Sequence, residues 1–359
     1  MMLKPRLLML YVSGFLVLVS VLVSACSDVN PSQEAQTVQL PVVTNTDNSQ
    51  NAYPVEEGGY PAPGTPQGET DLPPVPAEAA FFAPPSEGIP TFAGKLAFQT
   101  ERFGALQVAI LDGATGEISQ LNSEVSQSFE PDWSPDCTAV VYTTGPVSGE
   151  DFEVNIKALA GEARPLVTSS DTYDWAAAWS PIGDVIAYQN NRDALINICF
   201  TNLAGEDLGC MERGSFSNAM PAWSPDGTQL AFGSNREGNW ELYVTDYPAF
   251  TSLTRLTTNN DIDFHPQFSP DGQTILFTSK RLGIYDLYLI KADGEGERPL
   301  TSDPADERDP VWVGDSQIAY TANIQDDWEL YLVNADGSNV QRLTYARGAD
   351  QWPAWCASK

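Results

Sequence analysis

The phrase Trp223-Ser224-Pro225-Asp226-Gly227 recurs along the chain. It returns as Trp133-Ser134-Pro135-Asp136, Trp179-Ser180-Pro181 and Phe268-Ser269-Pro270-Asp271-Gly272, and in worn form as Trp312-Val313-Gly314-Asp315. A last copy, Trp355-Cys356, stands at the chain end. Successive aromatic residues lie 46, 44, 45, 44 and 43 positions apart. A fixed period in the forties marks a repeat architecture, in which each unit buries its apolar face only against its neighbours.

Each unit carries further landmarks. A short apolar strand follows the phrase: Leu96-Ala97-Phe98, Val140-Val141-Tyr142, Ile186-Ala187-Tyr188, Leu230-Ala231-Phe232, Ile275-Leu276-Phe277 and Ile318-Ala319-Tyr320. A third strand reads Leu242-Tyr243-Val244, Leu287-Tyr288-Leu289 or Leu330-Tyr331-Leu332, and a fourth centres on Arg255-Leu256-Thr257, Pro299-Leu300-Thr301 or Arg342-Leu343-Thr344. These runs of β-branched and aromatic residues are bounded by Gly, Asp, Asn and Pro, the punctuation of short strands. Four strands per unit and six units predict an all-β, six-bladed β-propeller with four-stranded blades. The first unit begins at Gly94-Lys95-Leu96 without its own Trp-Ser-Pro strand, and the chain ends on Trp352-Pro353-Ala354-Trp355, which is that strand alone. The C-terminal strand is therefore expected to close the first blade, removing the free edges of an open array. The repeats fall at about 88–127 plus 349–358, 128–172, 173–215, 216–260, 261–304 and 305–348.

The pattern Pro-x-Trp-Ser-Pro-Asp-Gly, Ile-Ala-Phe, Ser-x-Arg-x-Gly, Leu-Tyr, Arg-Leu-Thr resembles the WD-like repeat of the TolB C-terminal propeller family, most closely over 221–301 and in outline over about 88–358. The resemblance implies the propeller fold. It says little about function, because this architecture hosts binding proteins, peptidase gates and lyases alike. The N-terminal α/β domain of TolB has no counterpart here, so partner sites of that protein are not transferred.

The N-terminus carries Lys4 and Arg6, then an apolar run over Leu7–Val23, then Ser24-Ala25-Cys26. A charged start, an apolar core and small residues before a cut describe a secretory signal over residues 1–25. The Cys at that place makes it resemble a bacterial lipoprotein signal, which implies Cys26 as the lipid anchor and an exported protein held at the cell membrane, on its periplasmic or extracellular face. Residues 26–87 are rich in Pro, Gly, Thr, Gln and Glu without apolar periodicity, and are expected to form a disordered, semi-extended stalk. The propeller is assigned to 88–359.

Acids outnumber bases 48 to 18, for a net charge of −30. Nucleic acid is excluded as a partner, since it needs a positive footprint. Within each repeat the phrase reads as scaffold: a core aromatic on the innermost strand, then a Pro-Asp-Gly turn into the next. Turns between the second and third strands, and connections between blades, vary most and share one face, which is where binding sits on a rigid frame. Three residues before each aromatic stand Glu130, Ala176, Met220, His265, Asp309 and Trp352. Five before stand Ser128, Asp174, Asn218, Asp263, Glu307 and Asp350. The predicted binding rim is therefore Glu130, Asp174, Asp263, His265, Glu307, Asp309, Asp350 and Trp352 around one channel mouth. Crowded carboxylates favour a basic partner, or calcium or another cation, and equally describe a solvated rim with no ligand.

Arg102, Arg192, Arg236 and Arg281 each follow the second-strand aromatic by four residues, near Trp240-Glu241, Tyr285-Asp286 and Trp328-Glu329. The arginines read as partners of acids within the blade, leaving Trp240, Tyr285 and Trp328 as exposed aromatic contacts for a sugar or a protein. Four Cys remain beyond Cys26, and outside the cytoplasm they read as disulfide candidates. Cys199 and Cys210 flank a turn on neighbouring strands; Cys137 and Cys356 lie in adjacent blades. For catalysis there is one His, no Gly-x-Ser-x-Gly elbow and no marked carboxylate pair. The expectation is a non-enzymatic, monomeric propeller that binds a protein or peptide without a cofactor. A carbohydrate-binding or carbohydrate-active surface protein is the alternative.

Overall fold

Short β-branched and aromatic runs between turn formers become strands throughout. The computed structural model describes residues 8–12, 15–19, 88–122, 126–146, 151–168, 172–191, 195–212, 214–281, 283–324 and 327–357. Their regular structure is entirely β. Among them no helix is long and apolar enough to cross a membrane. The chain divides into two compact units, Met1–Pro73 and Pro74–Lys359. In the first, Leu8–Val12 pairs antiparallel with Phe15–Val19 inside the apolar run. Cys26 and the stalk over 26–87 lie outside the described residues.

In the second unit six four-stranded antiparallel sheets follow one another. The innermost strands of blades 2 to 6 are Gln127–Trp133, Asp174–Trp179, Asn218–Trp223, Ile262–Phe268 and Asp306–Val313. Blade 1 is built from both ends of the domain: Asp350–Cys356 pairs with Lys95–Thr100, which continues to Gln107–Asp112 and Ile118–Gln120. Asp350 stands opposite Thr100, and Cys356 opposite Lys95. The C-terminal strand therefore closes the ring.

The core lies between blades. Trp133, Val140 and Tyr142 of blade 2 pack on Ala97, Val108 and Ala354 of blade 1. Leu276 and Leu287 of blade 5 meet Trp312 and Tyr320 of blade 6 in the same way. Two indole N–H groups are satisfied across the junctions: Trp133 donates to the carbonyl of Ala354 and Trp223 to that of Ala178, both at 3.1 Å. A buried indole without such an acceptor would be costly.

The remainder of the phrase locks a turn. Ser224 and Ser269 donate to Asp226 and Asp271, and accept the N–H of Gln229 and Thr274, each at 2.9 Å. The next residue needs positive φ: Gly227 at 69° and Gly272 at 71°. In blade 2 Cys137 holds this place with φ of 60°. Its side chain is disulfide-bonded to Cys356 across 5.9 Å between Cα atoms. A left-handed non-glycine residue costs roughly 1 kcal/mol, which the crosslink offsets. The second disulfide joins Cys199 and Cys210, which face each other in register on the outer strands of blade 3.

The two disulfides span sequence separations of 219 and 11. Loop-closure entropy then assigns roughly 5 kcal/mol to the first and roughly 3 kcal/mol to the second. Denaturant unfolding is expected to show the Cys137→Ser/Cys356→Ser pair losing more stability than Cys199→Ser/Cys210→Ser. Cys137→Gly with Cys356→Ser should regain about 1 kcal/mol over the serine pair, because glycine accepts the turn.

Candidate functional site

Every innermost strand slips by one residue against its neighbour. The breaks fall at Phe129/Asp132, Trp175/Ala178, Ala219/Ala222, Phe264/Gln267, Arg308/Val311 and Gln351/Ala354. The first residue inside each break is left-handed: Glu130 at 51°, Ala176 at 47°, Met220 at 55°, His265 at 55°, Asp309 at 52° and Trp352 at 55°. Except for Ala176, each is followed by Pro, namely Pro131, Pro221, Pro266, Pro310 and Pro353. Proline lacks the N–H a regular ladder would use and drives the residue before it out of the right-handed helical region. A β-bulge is where a strand accepts it.

The bulge does two things. It frees a backbone N–H that reaches back to the preceding blade. Glu130 donates to Gln99 at 3.2 Å, Ala176 to Thr143 at 3.1 Å, Met220 to Gln189 at 3.3 Å and Trp352 to Thr321 at 3.3 Å. It also turns side chains toward the axis. Glu130, Ala176, Met220, His265 and Trp352 line a central cavity of about 340 Å³, which continues past Asp132 and Gln267 to Pro181, Pro225 and Pro270.

Charge is concentrated at the bulge end. His265 Nδ1 lies 3.0 Å from Asp309 Oδ1. The His265 ring is tilted by 39° against Trp352, with centroids 4.8 Å apart. Glu130 accepts the N–H of Ala176 at 2.9 Å and the hydroxyl of Thr143 at 3.2 Å. Burial nevertheless pushes its carboxyl up to about 7, and the charge of Asp309 adds to the rise. Asp132 accepts the N–H groups of Trp179 at 2.7 Å and Trp133 at 2.9 Å, and burial pushes it up to about 6. Both carboxyls face a lumen walled by protein, so neither is hydrated as a surface acid is.

The acids five positions before the aromatic are not at the rim. Asp174 is 1% exposed, and Asp263, Glu307 and Asp350 are 0% exposed. In a regular strand residues two apart share a face, which made both sets look equivalent. The bulge rotates the later residue to the axis and leaves the earlier one between blades. There it serves the frame: Asp350 pairs with Arg102, and Asn218 accepts from Arg236 at 2.9 Å. The arginines thus answer this position rather than the acid beside the third strand; Arg192 lies outside the described residues.

The predicted aromatic platform is also corrected. Trp240 is 6% exposed and Tyr285 is 2% exposed. Trp240 lies over the glycine at 233, which leaves room for an indole, and Tyr285 stands edge-on to Phe264 at 5.5 Å. Trp328 is half-buried, with the Arg308 guanidinium 5.1 Å from its ring. Asp132 escaped the sequence reading because Ala, Gln or Val fills its place in other copies, so periodicity does not flag it.

Among the described residues no group of three or more His, Cys, Asp or Glu side chains is placed to hold a metal ion. The residues lining the cavity include no Ser, Thr, Cys or Lys as a nucleophile. The arrangement offers an enclosed lumen, an aromatic ring, a hydrogen-bonded His–Asp pair and two carboxyls poised between charged and neutral.

A closed ring of six four-stranded blades around such a lumen defines a six-bladed β-propeller. The family model of the TolB beta propeller domain matches residues 144–315. The fold is similar to that of TolB from Acinetobacter baumannii, with TM-score 0.65 and 20% identity over 74% of this chain and 68% of that one. It is similar to the putative TolB from Agrobacterium tumefaciens, with TM-score 0.60 and 20% identity over 73% of this chain and 91% of that one. It also resembles hydrazine synthase of Kuenenia stuttgartiensis, with TM-score 0.60 and 13% identity over 75% of this chain and 47% of that one. At these identities the likeness is one of fold. Among curated proteins none matches the sequence.

The lumen carboxyl Glu130 sets a pH dependence. Its folded value of about 7 lies above the ordinary 4.5. The stability it contributes is therefore complete below about pH 4.5 and lost as pH rises through 7. Glu130→Gln is expected to match the native protein at pH 4.5 and to exceed it at pH 8 by on the order of 2 kcal/mol. Denaturant unfolding at the two pH values checks this; an equal effect at both would count against it.

Proposed function

We propose that this is an exported, lipid-anchored envelope protein whose propeller binds a protein or peptide partner at the bulge end of its central channel. The observation that carries the reading is the sixfold left-handed bulge. It converges Glu130, His265 and Trp352 on one opening of a cavity large enough for a few side chains, with Asp309 held against His265. An aromatic residue beside hydrogen-bonding groups, set on a rigid ring, is the make-up of an interface hot spot. The net charge of −30 and the acids of the lumen favour a segment bearing positive or amide groups and disfavour nucleic acid. The likeness to TolB supports an envelope location and a binding role. Cys26 would hold the protein at the membrane, and the segment over 26–87 would set its distance from it. The carbohydrate alternative loses support, because Trp240 and Tyr285 belong to the core.

The test is capture from envelope extracts by the full chain and by its Trp352→Ala/His265→Ala variant, each checked for unchanged circular dichroism. A partner retained by the native protein and lost by the variant is expected. Equal recovery of every captured protein would place the interface elsewhere.

A further inference from the structure

The six blades offer an internal comparison. The position five before the core aromatic is buried in each, and in five blades its side chain has a donor. Ser128 accepts from Asn122 at 2.6 Å and Asp174 from Asn190 at 2.6 Å. Asn218 accepts from Arg236 at 2.9 Å. Asp263 accepts from Asn259 at 2.6 Å and lies 3.8 Å from Arg281, while Asp350 pairs with Arg102. Glu307 in blade 6 has no solvent exposure and, among the described residues, no amide or guanidinium donor; its carboxyl meets only the hydroxyls of Thr301 and Tyr320 and the carboxyl of Asp303. The reason is in the sequence: four residues after Tyr320, where the other blades place Arg102, Arg236 and Arg281, blade 6 has Ile324.

A second repeated position fails at the same place. The acid opening the third strand is met by an arginine of the fourth: Glu241 by Arg255 at 2.9 Å, and Glu329 by Arg342 at 2.6 Å. In blade 5 the acid is Asp286, and Pro299 replaces the arginine. Asp286 is buried, and its Oδ1 has no partner. The two acids are neighbours across the blade 5–blade 6 junction, since the charges of Asp303 and Asp286 both act on Glu307. The equivalent acids also act on each other at the flanking junctions, Glu241 on Asp263 and Asp350 on Glu329. Each flanking junction supplies two arginines to its two acids. This junction supplies none.

Buried carboxyls are expensive to ionise: burial pushes Glu307 up to about 9 and Asp286 up to about 6, and at the flanking junctions it raises Glu329 to about 8 and Asp263 to about 6 even beside their arginines. We propose that this junction is a receptor for an arginine side chain of a protein partner, whose guanidinium takes the place between Asp286 and Glu307 that the chain's own arginines take at the flanking junctions. A guanidinium fits the precedent. It is planar, it serves two carboxylates at once, and it packs on a ring. Arg236 and Arg281 lie 4.7 and 4.1 Å from Tyr243 and Tyr288, and Tyr331 holds the corresponding place in blade 6. No set of three ligands is placed for a metal ion among the described residues. Approach is over the exposed Asp303 and Ile324, at the face of the variable turns and blade connections. The inference goes beyond the channel-mouth reading and does not depend on it.

The experiment titrates the full chain calorimetrically with the peptide acetyl-Gly-Arg-Gly-amide and its citrulline analogue, which keeps the shape and removes the charge. Saturable binding of the arginine peptide, at least tenfold tighter than citrulline and weakened at least tenfold by Glu307→Gln, is expected. Ile324→Arg should raise the melting temperature and abolish peptide binding, because the chain then fills its own site. If that variant does not fold, Glu307→Gln and the citrulline control still decide. Absence of binding, equal binding of both peptides, or unchanged binding by Glu307→Gln overturns the proposal. So does a melting temperature raised by calcium chloride in the native protein but not in Glu307→Gln, which would assign the site to an inorganic cation.

Discussion

The structure depends on the pairing of Asp350–Cys356 with Lys95–Thr100. A ring of blades has no stable edge until its last strand is in place, since each blade buries its apolar face on the next. Several contacts converge on that one strand. Ala354 accepts the indole N–H of Trp133, Trp355 donates to the carbonyl of Ala93, and Cys356 is crosslinked to Cys137. The same strand carries Trp352, which closes the channel mouth against His265, and Asp350, which takes up Arg102. Closure of the fold and completion of the candidate site are therefore one event.

Charge follows a rule inside this acidic molecule. Acids at blade junctions are tolerated because arginines from the same or the adjacent sheet meet them: Arg102, Arg255, Arg281 and Arg342. Burial raises these carboxyls toward neutrality, at Glu130 and Asp132 in the lumen, at Glu307 in the blade 5–blade 6 junction, and even beside an arginine at Asp263 and Glu329. A neutral acid in a closed space is a donor as well as an acceptor, so these groups respond to pH and to an incoming positive charge.

The fold was legible because its signal is repeated. The Trp-Ser-Pro-Asp phrase counted the blades, and the orphan strand at Trp352–Trp355 announced closure. The site was legible only in part. Alignment on the aromatic brings Glu130, His265, Asp309 and Trp352 to equivalent places in the bulges, but Asp174, Asp263, Glu307 and Asp350, two residues earlier, are buried rather than at the rim. The left-handed residue in each bulge breaks the two-residue alternation of a strand, and in five of the six its signal is the proline that follows. Trp240 and Tyr285 read as exposed because they sit in turns, yet a glycine opposite one and Phe264 beside the other give them buried seats.

Local residue type and a fixed period are enough to set the all-β class, the six units, the closing strand and the turn chemistry. Packing in three dimensions settles which acids face the axis, which arginine meets which acid and which aromatics remain accessible. Those outcomes depend on the direction of a side chain after a backbone bulge and on contacts between blades more than forty residues apart, and neither is a property of any single repeat.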